Sequence, residues 1–295
     1  MSASAPTILH RQWRRLPKVL RLLLRNPATA LGIVILALFV LSAIFAPWIA
    51  PYPSHATGAP AGGVRLSPPS AAFPFGTDTL GRDLFSRVIV GTRLSLMLIV
   101  LSVAGSSVLG VSVGTIAGYA PRWVDEVLMR VTDIFLSLPS LVLAMLIAVS
   151  LGAGTPSTIL AITLTYWPRY SRLARGEVLR YRSKPFVEAA AGLGARSPRI
   201  IVKHLLPSIS PAILVQASLD SGATLLTAAA LGFLGLGARP PSPEWGLMVA
   251  TGRDLMPDFW WLSAFPGLAI FVVVIGLNLV GDGVRAAFDP RQRKD

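Results

Sequence analysis

The residues best suited to bind a partner lie in one polar stretch, 183–207, between two strongly apolar parts of the chain. Ser183 and Ser197 each precede a proline by one or two positions, a pattern typical of helix starts. Gly194 suits the turn that follows the first helix, and Pro207 is suited to end the second. The stretch therefore predicts a compact helix–turn–helix. Basic residues crowd into it and the segment before it, which indicates a docking surface: Arg169, Arg172, Arg175, Arg180, Arg182, Lys184, Arg196, Arg199 and Lys203.

A single acidic residue, Asp220, is predicted to lie deep in an apolar segment. An acid there is costly, so it should face a polar interior. Two interpretations stay open: Asp220 lines a path through the protein and attracts a cationic group, or it bonds to a neighbouring helix. The chain has no cysteine and its three histidines lie far apart, so we expect no metal site. No Ser/His/Asp spacing within the apolar segments indicates an enzyme.

Composition places these residues in a membrane protein. The chain is 53% hydrophobic and 14% charged, with a mean hydropathy of +0.63. The net charge of +13 would suit a nucleic-acid partner if the basic residues lined one soluble face. They flank apolar segments instead, a distribution that membrane topology explains better. We therefore expect lipid around the chain and no nucleic-acid partner.

Apolar periodicity and length predict an all-α membrane protein with six transmembrane helices. The first span, 29–50, has about 22 largely apolar residues, enough to cross a hydrocarbon core of about 30 Å. Pro139 is predicted to kink the third span. Gly110, Gly114 and Gly118 form a small-residue stripe on the second, which predicts close helix packing. The spans are 29–50, 94–118, 134–152, 157–170, 208–237 and 259–280.

The distribution of basic residues predicts the orientation. Arginine and lysine concentrate in 1–26, 169–203 and 285–294, which an even number of spans places on one side. By the positive-inside rule, both termini and the polar stretch are cytoplasmic. The predicted organisation is a cytoplasmic segment 1–28, a first helix 29–50, an extracytoplasmic loop 51–91, a five-helix core 92–283 containing the loop 183–207, and a cytoplasmic tail 284–295.

Two motifs resemble a known family. Glu188-Ala189-Ala190, Gly194 and Leu205-Leu206-Pro207 resemble, in type and spacing, the "EAA" loop of the membrane subunits of binding-protein-dependent ABC importers. Residues 74–87, PFGTDTLGRDLFSR, resemble a signature of the "C-type" permease in the dipeptide/oligopeptide/nickel branch.

Within the second motif, Asp83 and Arg87 are four residues apart and are expected to pair on a helix. The chain also departs from the family's pattern at one place. Ala228 and Gly232 stand where the family usually has glutamate and serine, which puts in doubt any pathway role carried over to those positions.

The resemblance implies a type I ABC importer permease fold in the inner membrane. It implies a homologous second permease, two cytoplasmic ATPase subunits and an extracytoplasmic solute-binding protein as partners. It also implies that Glu188, Ala189, Ala190, Gly194, Leu206 and Pro207 couple the chain to the ATPases. No Gly-Lys pair occurs, so a Walker A loop is absent, and we expect ATP and magnesium to be bound by the partners and no cofactor by this chain.

Peptides are the commonest cargo of this branch, while nickel and glutathione stay open. The alternative class is a self-sufficient ion-coupled secondary carrier or channel. Such proteins tend to carry several intramembrane acids, and this chain offers one candidate, Asp220.

Overall fold

The computed structural model describes residues 26–56, 58 and 64–288. Within these residues it is built from helices, without a strand and with one isolated β-bridge, Thr77–Asp83. This confirms the all-α prediction. Most of the predicted segment 1–28, and 289–295 of the predicted tail, lie outside the described residues. The helices are α1 Pro27–Ile49, α2 Leu84–Tyr119, α3 Arg122–Ser137, α4 Ser140–Leu151, α5 Thr155–Arg182, α6 Pro185–Gly192, α7 Ser197–Ile200, α8 Leu206–Phe233, α9 Trp245–Arg253 and α10 Trp261–Phe288.

Helix occupies most of each predicted span, although residues 234–237 lie beyond the end of α8 and residues 259–260 precede α10. Among the residues that the structure describes, four helical runs are long and apolar enough to cross a membrane on their own: α1, α2, α10 and the continuous run Ser197–Phe233. The pair α3 and α4, bent by 96°, is a fifth candidate only if the two helices count as one broken span, and the same bend also fits a re-entrant loop. α5 has 28 residues, but arginines occupy its C-terminal half and make it too polar to qualify by composition alone.

Pro139 separates α3 from α4, as the sequence suggested for the third span. It holds the N-cap position of α4 with extended backbone, φ −56° and ψ 126°. Leu138, the residue before it, is also extended, which is the conformation that a following proline favours. The result is a break between two helices and a change of direction of 96°, far larger than a kink within one helix.

The glycine stripe of α2 packs directly against the backbone of α5. A Cβ atom added to Gly110 would overlap the Trp167 carbonyl oxygen, and one added to Gly114 would overlap the Ser171 carbonyl oxygen. At Gly118 the added atom would lie 2.9 Å from Val178. The predicted packing role is confirmed, because these contacts allow two long helices to touch along their length.

The 74–87 motif lies at the start of α2, at the opposite end of the bundle from the loop 183–207. The predicted Asp83–Arg87 pair is wrong. Asp83 instead caps α2 by accepting from the Ser86 N–H at 2.8 Å. Arg87 lies 3.6 Å from Asp78 and donates to the Pro241 carbonyl oxygen. Capping is favoured over the ion pair because the N–H groups in the first turn of a helix have no hydrogen-bond partner within the helix.

Candidate functional site

The loop between α5 and α8 folds as two short helices around a turn. α6 ends at Gly192, and Gly194 follows in the left-handed region with φ +81°. The Gly194 N–H donates to Ala191 at 2.9 Å, and the Ala195 N–H donates to Ala190 at 3.0 Å. Glycine adopts this backbone without the penalty that a Cβ atom brings. The turn predicted at Gly194 is therefore where the sequence placed it.

The helix starts in the loop differ from those predicted. Lys184 holds the N-cap of α6 and Arg196 that of α7, and neither side chain caps. Ser183 is displaced because Pro185 favours an extended residue directly before it, and Lys184 has ψ 145°. Ser197 is the first helical residue itself. The helix starts predicted from Ser183 and Ser197 are thus each wrong by one position.

Pro207 does not end the second helix, contrary to the prediction. The chain passes from α7 through a π-helical turn, Ile201–Leu205, into α8 without a break. A proline inside a helix lacks an N–H donor and crowds the preceding turn. The wider π turn lies directly before it, with the Leu206 N–H bonded to the Ile201 carbonyl oxygen, and accommodates Pro207 in the first turn of α8.

The loop has a packed inner side and an open outer side. Its buried residues join α5 and α8 in one apolar cluster: Ala174, Val178, Val187, Ile200, Leu205 and Ile209. Among the predicted coupling residues, Glu188, Ala189 and Gly194 are exposed. Ala190, Leu206 and Pro207 are half-buried. The inner cluster fixes the loop on the helices, and the outer side remains available to another molecule.

Leu193 is a notable residue of this surface that the sequence reasoning missed. Its side chain is 89% exposed at the turn between α6 and α7, next to Gly194. A large apolar side chain in such a position is typical of an anchor for a partner's pocket. The available signal was a leucine flanked by two glycines within an otherwise polar stretch.

Asp220 is buried between α8 and α5. Its carboxylate lies 3.3 Å from the Arg169 guanidinium and accepts from the Gln216 amide at 3.0 Å. The same guanidinium lies 4.5 Å from the centre of the Tyr166 ring. Of the two interpretations that the sequence left open, these contacts are those of a bond to a neighbouring helix. A role in the path remains a prediction.

The departure at positions 228 and 232 has a local explanation. A Cβ atom on Gly232 would overlap the Glu244 carboxylate, which accepts from the Gly246 and Leu247 N–H groups at 2.7 Å. Burial raises the pKa of the Glu244 carboxyl, and these two N–H donors oppose that shift. Ala228 is buried in the apolar core. Gly232 therefore makes room for a carboxylate that caps α9.

Two family models match the chain. Residues 110–294 match the model described as "Binding-protein-dependent transport system inner membrane component". Residues 11–69 match the "N-terminal TM domain of oligopeptide transport permease C". Together they account for both ends of the chain and for the loop between α5 and α8.

Among relatives, the probable D,D-dipeptide transport system permease protein DdpC of Escherichia coli K12 is 46% identical, over 93% of this chain and 91% of its own length. The dipeptide transport system permease protein DppC of Alkalihalophilus pseudofirmus is 42% identical, over 95% and 90%. The glutathione transport system permease protein GsiD of Pectobacterium atrosepticum is 36% identical, over 99% and 96%.

The fold resembles a solved structure. A chain of the MetNI methionine ABC transporter in an inward-facing conformation aligns with a TM-score of 0.56 at 19% identity. The alignment covers 69% of this chain and 97% of that one. The similarity confirms the predicted type of permease fold.

Proposed function

Because this chain belongs to the family of binding-protein-dependent transport system inner membrane components, we propose that it forms half of the translocation pathway of an ATP-driven peptide importer. A homologous permease supplies the other half, and a solute-binding protein delivers the substrate from outside. Di- and oligopeptides are the proposed substrates, a choice supported by the printed names of the dipeptide permease relatives.

The observation that carries this proposal is the loop between α5 and α8. Its inner side is locked to both helices through Val187, Ile200 and Leu205, while Glu188 and Leu193 face outwards. A surface that is rigidly joined to two long helices and free on its other side is suited to receive a push from a bound protein. We assign it as the docking site of the ATPase subunits, with both termini on the same, cytoplasmic side.

The coupling route follows from the connections of the loop. α6 follows α5 after Ser183 and Lys184, and α7 continues through the π turn into α8. A displacement of the docking surface therefore acts on both helices. In this proposal Glu188, Ala189, Ala190 and Gly194 form the contact, and Leu206 and Pro207 begin the helix that carries the motion into the membrane.

The test is a comparison of two exposed glycines. Neither Gly194 nor Gly176 has an atom within 4 Å of an added Cβ, so no steric overlap at that atom is expected at either place. Gly194 has φ +81°, so a side chain there also strains the turn, and its effect is compared with that of Leu193→Ser, which does not alter a left-handed residue. Gly194→Arg places a bulky cation on the docking surface, and Gly176→Arg places the same group on α5. Tagged protein is purified from native membranes in mild detergent, and the accompanying subunits are identified by mass spectrometry.

We expect wild type and Gly176→Arg to recover a second permease and ATPase subunits, and Gly194→Arg to lose the ATPases but keep the permease. Reconstituted Gly194→Arg should also fail in ATP-driven peptide uptake. ATPases recovered equally with both variants would disprove the docking site. Uptake by the isolated chain in liposomes without ATP would instead indicate the secondary carrier.

A further inference from the structure

The exposed side of α3 consists of two adjoining strips. The first is apolar, and its residues follow one another at helical spacing: Trp123, Val127, Val131 and Ile134, with 70%, 56%, 42% and 64% of their surface exposed. The second strip lies directly beside it and is polar: Arg122, Glu126, Arg130 and Asp133. The boundary between the two strips runs along the helix.

An exposed side that is half apolar and half polar is not expected of a helix surrounded only by lipid or only by water. The exposed side of a helix that crosses lipid is apolar all over, and that of a helix in water is polar. A helix at the membrane–water boundary has both, with the apolar strip in the acyl chains and the polar strip in water. Trp123 fits this location, because tryptophan is enriched at the membrane interface.

The direction of α3 agrees with a surface location. It lies at 96° to α4, which is apolar and exposes Leu141, Leu146 and Val149. With 12 residues, α4 is about 18 Å long and cannot cross a hydrocarbon core of about 30 Å. If α4 enters the bilayer from the cytoplasmic side, the bend of 96° directs α3 along the cytoplasmic surface of the bilayer.

α3 is fastened to α5 through Asp125 on its covered side and through Asp133 of the polar strip. Asp125 accepts two hydrogen bonds from Arg175 at 2.5 and 2.6 Å, and Asp133 accepts one from Arg172 at 2.6 Å. The Phe135 ring also contacts Trp167 edge to face at 5.4 Å between ring centres. These contacts fix the orientation of α3 about its own axis and therefore the direction in which its apolar strip faces.

We infer that α3 is a membrane-surface helix whose partner is the lipid bilayer. The apolar strip Trp123, Val127, Val131 and Ile134 inserts among the acyl chains, and the polar strip remains in water. Arg172 and Arg175 join α3 to the C-terminal half of α5. A helix α3 held at the bilayer surface would therefore also restrict the position of α5 relative to the membrane. This contact with lipid is separate from ATPase docking and stands without it.

The chain contains no cysteine, which allows single-site labelling without background from the chain itself. The strips supply neighbouring pairs as matched controls: Glu126→Cys with Val127→Cys, and Arg130→Cys with Val131→Cys. Each variant is purified with the subunits that accompany it, those being made cysteine-free, then spin-labelled and reconstituted into liposomes. Accessibility of the label to oxygen, which partitions into lipid, is compared with accessibility to a water-soluble nickel complex.

We expect the ratio of oxygen to nickel accessibility to be several-fold higher at positions 127 and 131 than at 126 and 130. High nickel accessibility at all four positions would place α3 in water and overturn the inference. Low accessibility to both reagents at 127 and 131 would show that a protein subunit covers the apolar strip, which also overturns it. If one variant fails to fold, the other pair still provides the comparison between the two strips.

Discussion

Arg169 and Asp220 join the helix that enters the loop to the helix that leaves it, with 3.3 Å between guanidinium and carboxylate. The aspartate side chain is 6% exposed and the arginine side chain 38%. The pair links α5 to α8 within the bundle.

Asp220→Asn should therefore lower the free energy of unfolding by roughly 1–3 kcal/mol, because Arg169 loses its charged partner. The loss stays within this range because part of the arginine side chain remains solvated. Thermal unfolding in detergent measures the loss, and Arg169→Met with Asp220→Leu should recover part of it. Normal stability together with altered uptake of cationic substrates would support the path role of Asp220 instead.

The packing of α2 on α5 should depend on the absence of side chains at the glycine stripe. Gly114→Ala places a methyl group against the Ser171 carbonyl oxygen, and we expect a loss of about 1–3 kcal/mol from the strain of overpacking. Gly176→Ala on α5 is the control, since its added methyl group meets nothing within 4 Å. Equal unfolding temperatures for the two variants would contradict the close contact.

The contact between Gly232 and Glu244 predicts a coupled pair of substitutions. Gly232→Ser restores the residue that the family usually has, but it should destabilise this chain because the new side chain meets the Glu244 carboxylate. Adding Glu244→Ala should relieve part of that loss, although it removes the cap of α9 at a cost of about 1 kcal/mol. Additive effects in a double-mutant cycle of unfolding free energies would rule out the contact.

Leu193 offers a test of docking that leaves the fold intact. Its exposed side chain stabilises little within this chain, so Leu193→Ser should change stability by less than about 0.5 kcal/mol. Recovery of ATPase subunits and ATP-driven uptake should both fall, and Leu193→Met should retain them. Full ATPase recovery by Leu193→Ser would remove Leu193 from the docking surface.

The sequence predicted those features that local chemistry determines. The long apolar helices, the left-handed turn at Gly194 and the close packing at Gly114 follow from hydrophobicity and from what glycine alone permits. The break at Pro139 was visible as a proline, but no residue type in the sequence specifies its angle of 96°.

Features that depend on the tertiary structure were beyond the sequence. Pro207 reads as a helix end, and only the preceding π turn shows why the helix continues. Asp83 and Arg87 have the spacing of an ion pair, yet Asp83 accepts from Ser86 in the first turn of its own helix, and Arg87 donates to Pro241, 154 positions away. Asp220 could be identified as unusual, whereas its partner Arg169 lies 51 positions away in the chain.

The unbroken run Ser197–Phe233 has a mechanical consequence. Its 37 residues form a rod of about 55 Å that begins at the docking turn and ends beside the α9 cap at the far end of the bundle. The ion pair between Arg169 and Asp220 holds this run at a point between its two ends. If a bound partner displaces the turn between α6 and α7, tilting of this run about the Arg169 contact would move its two ends in opposite directions.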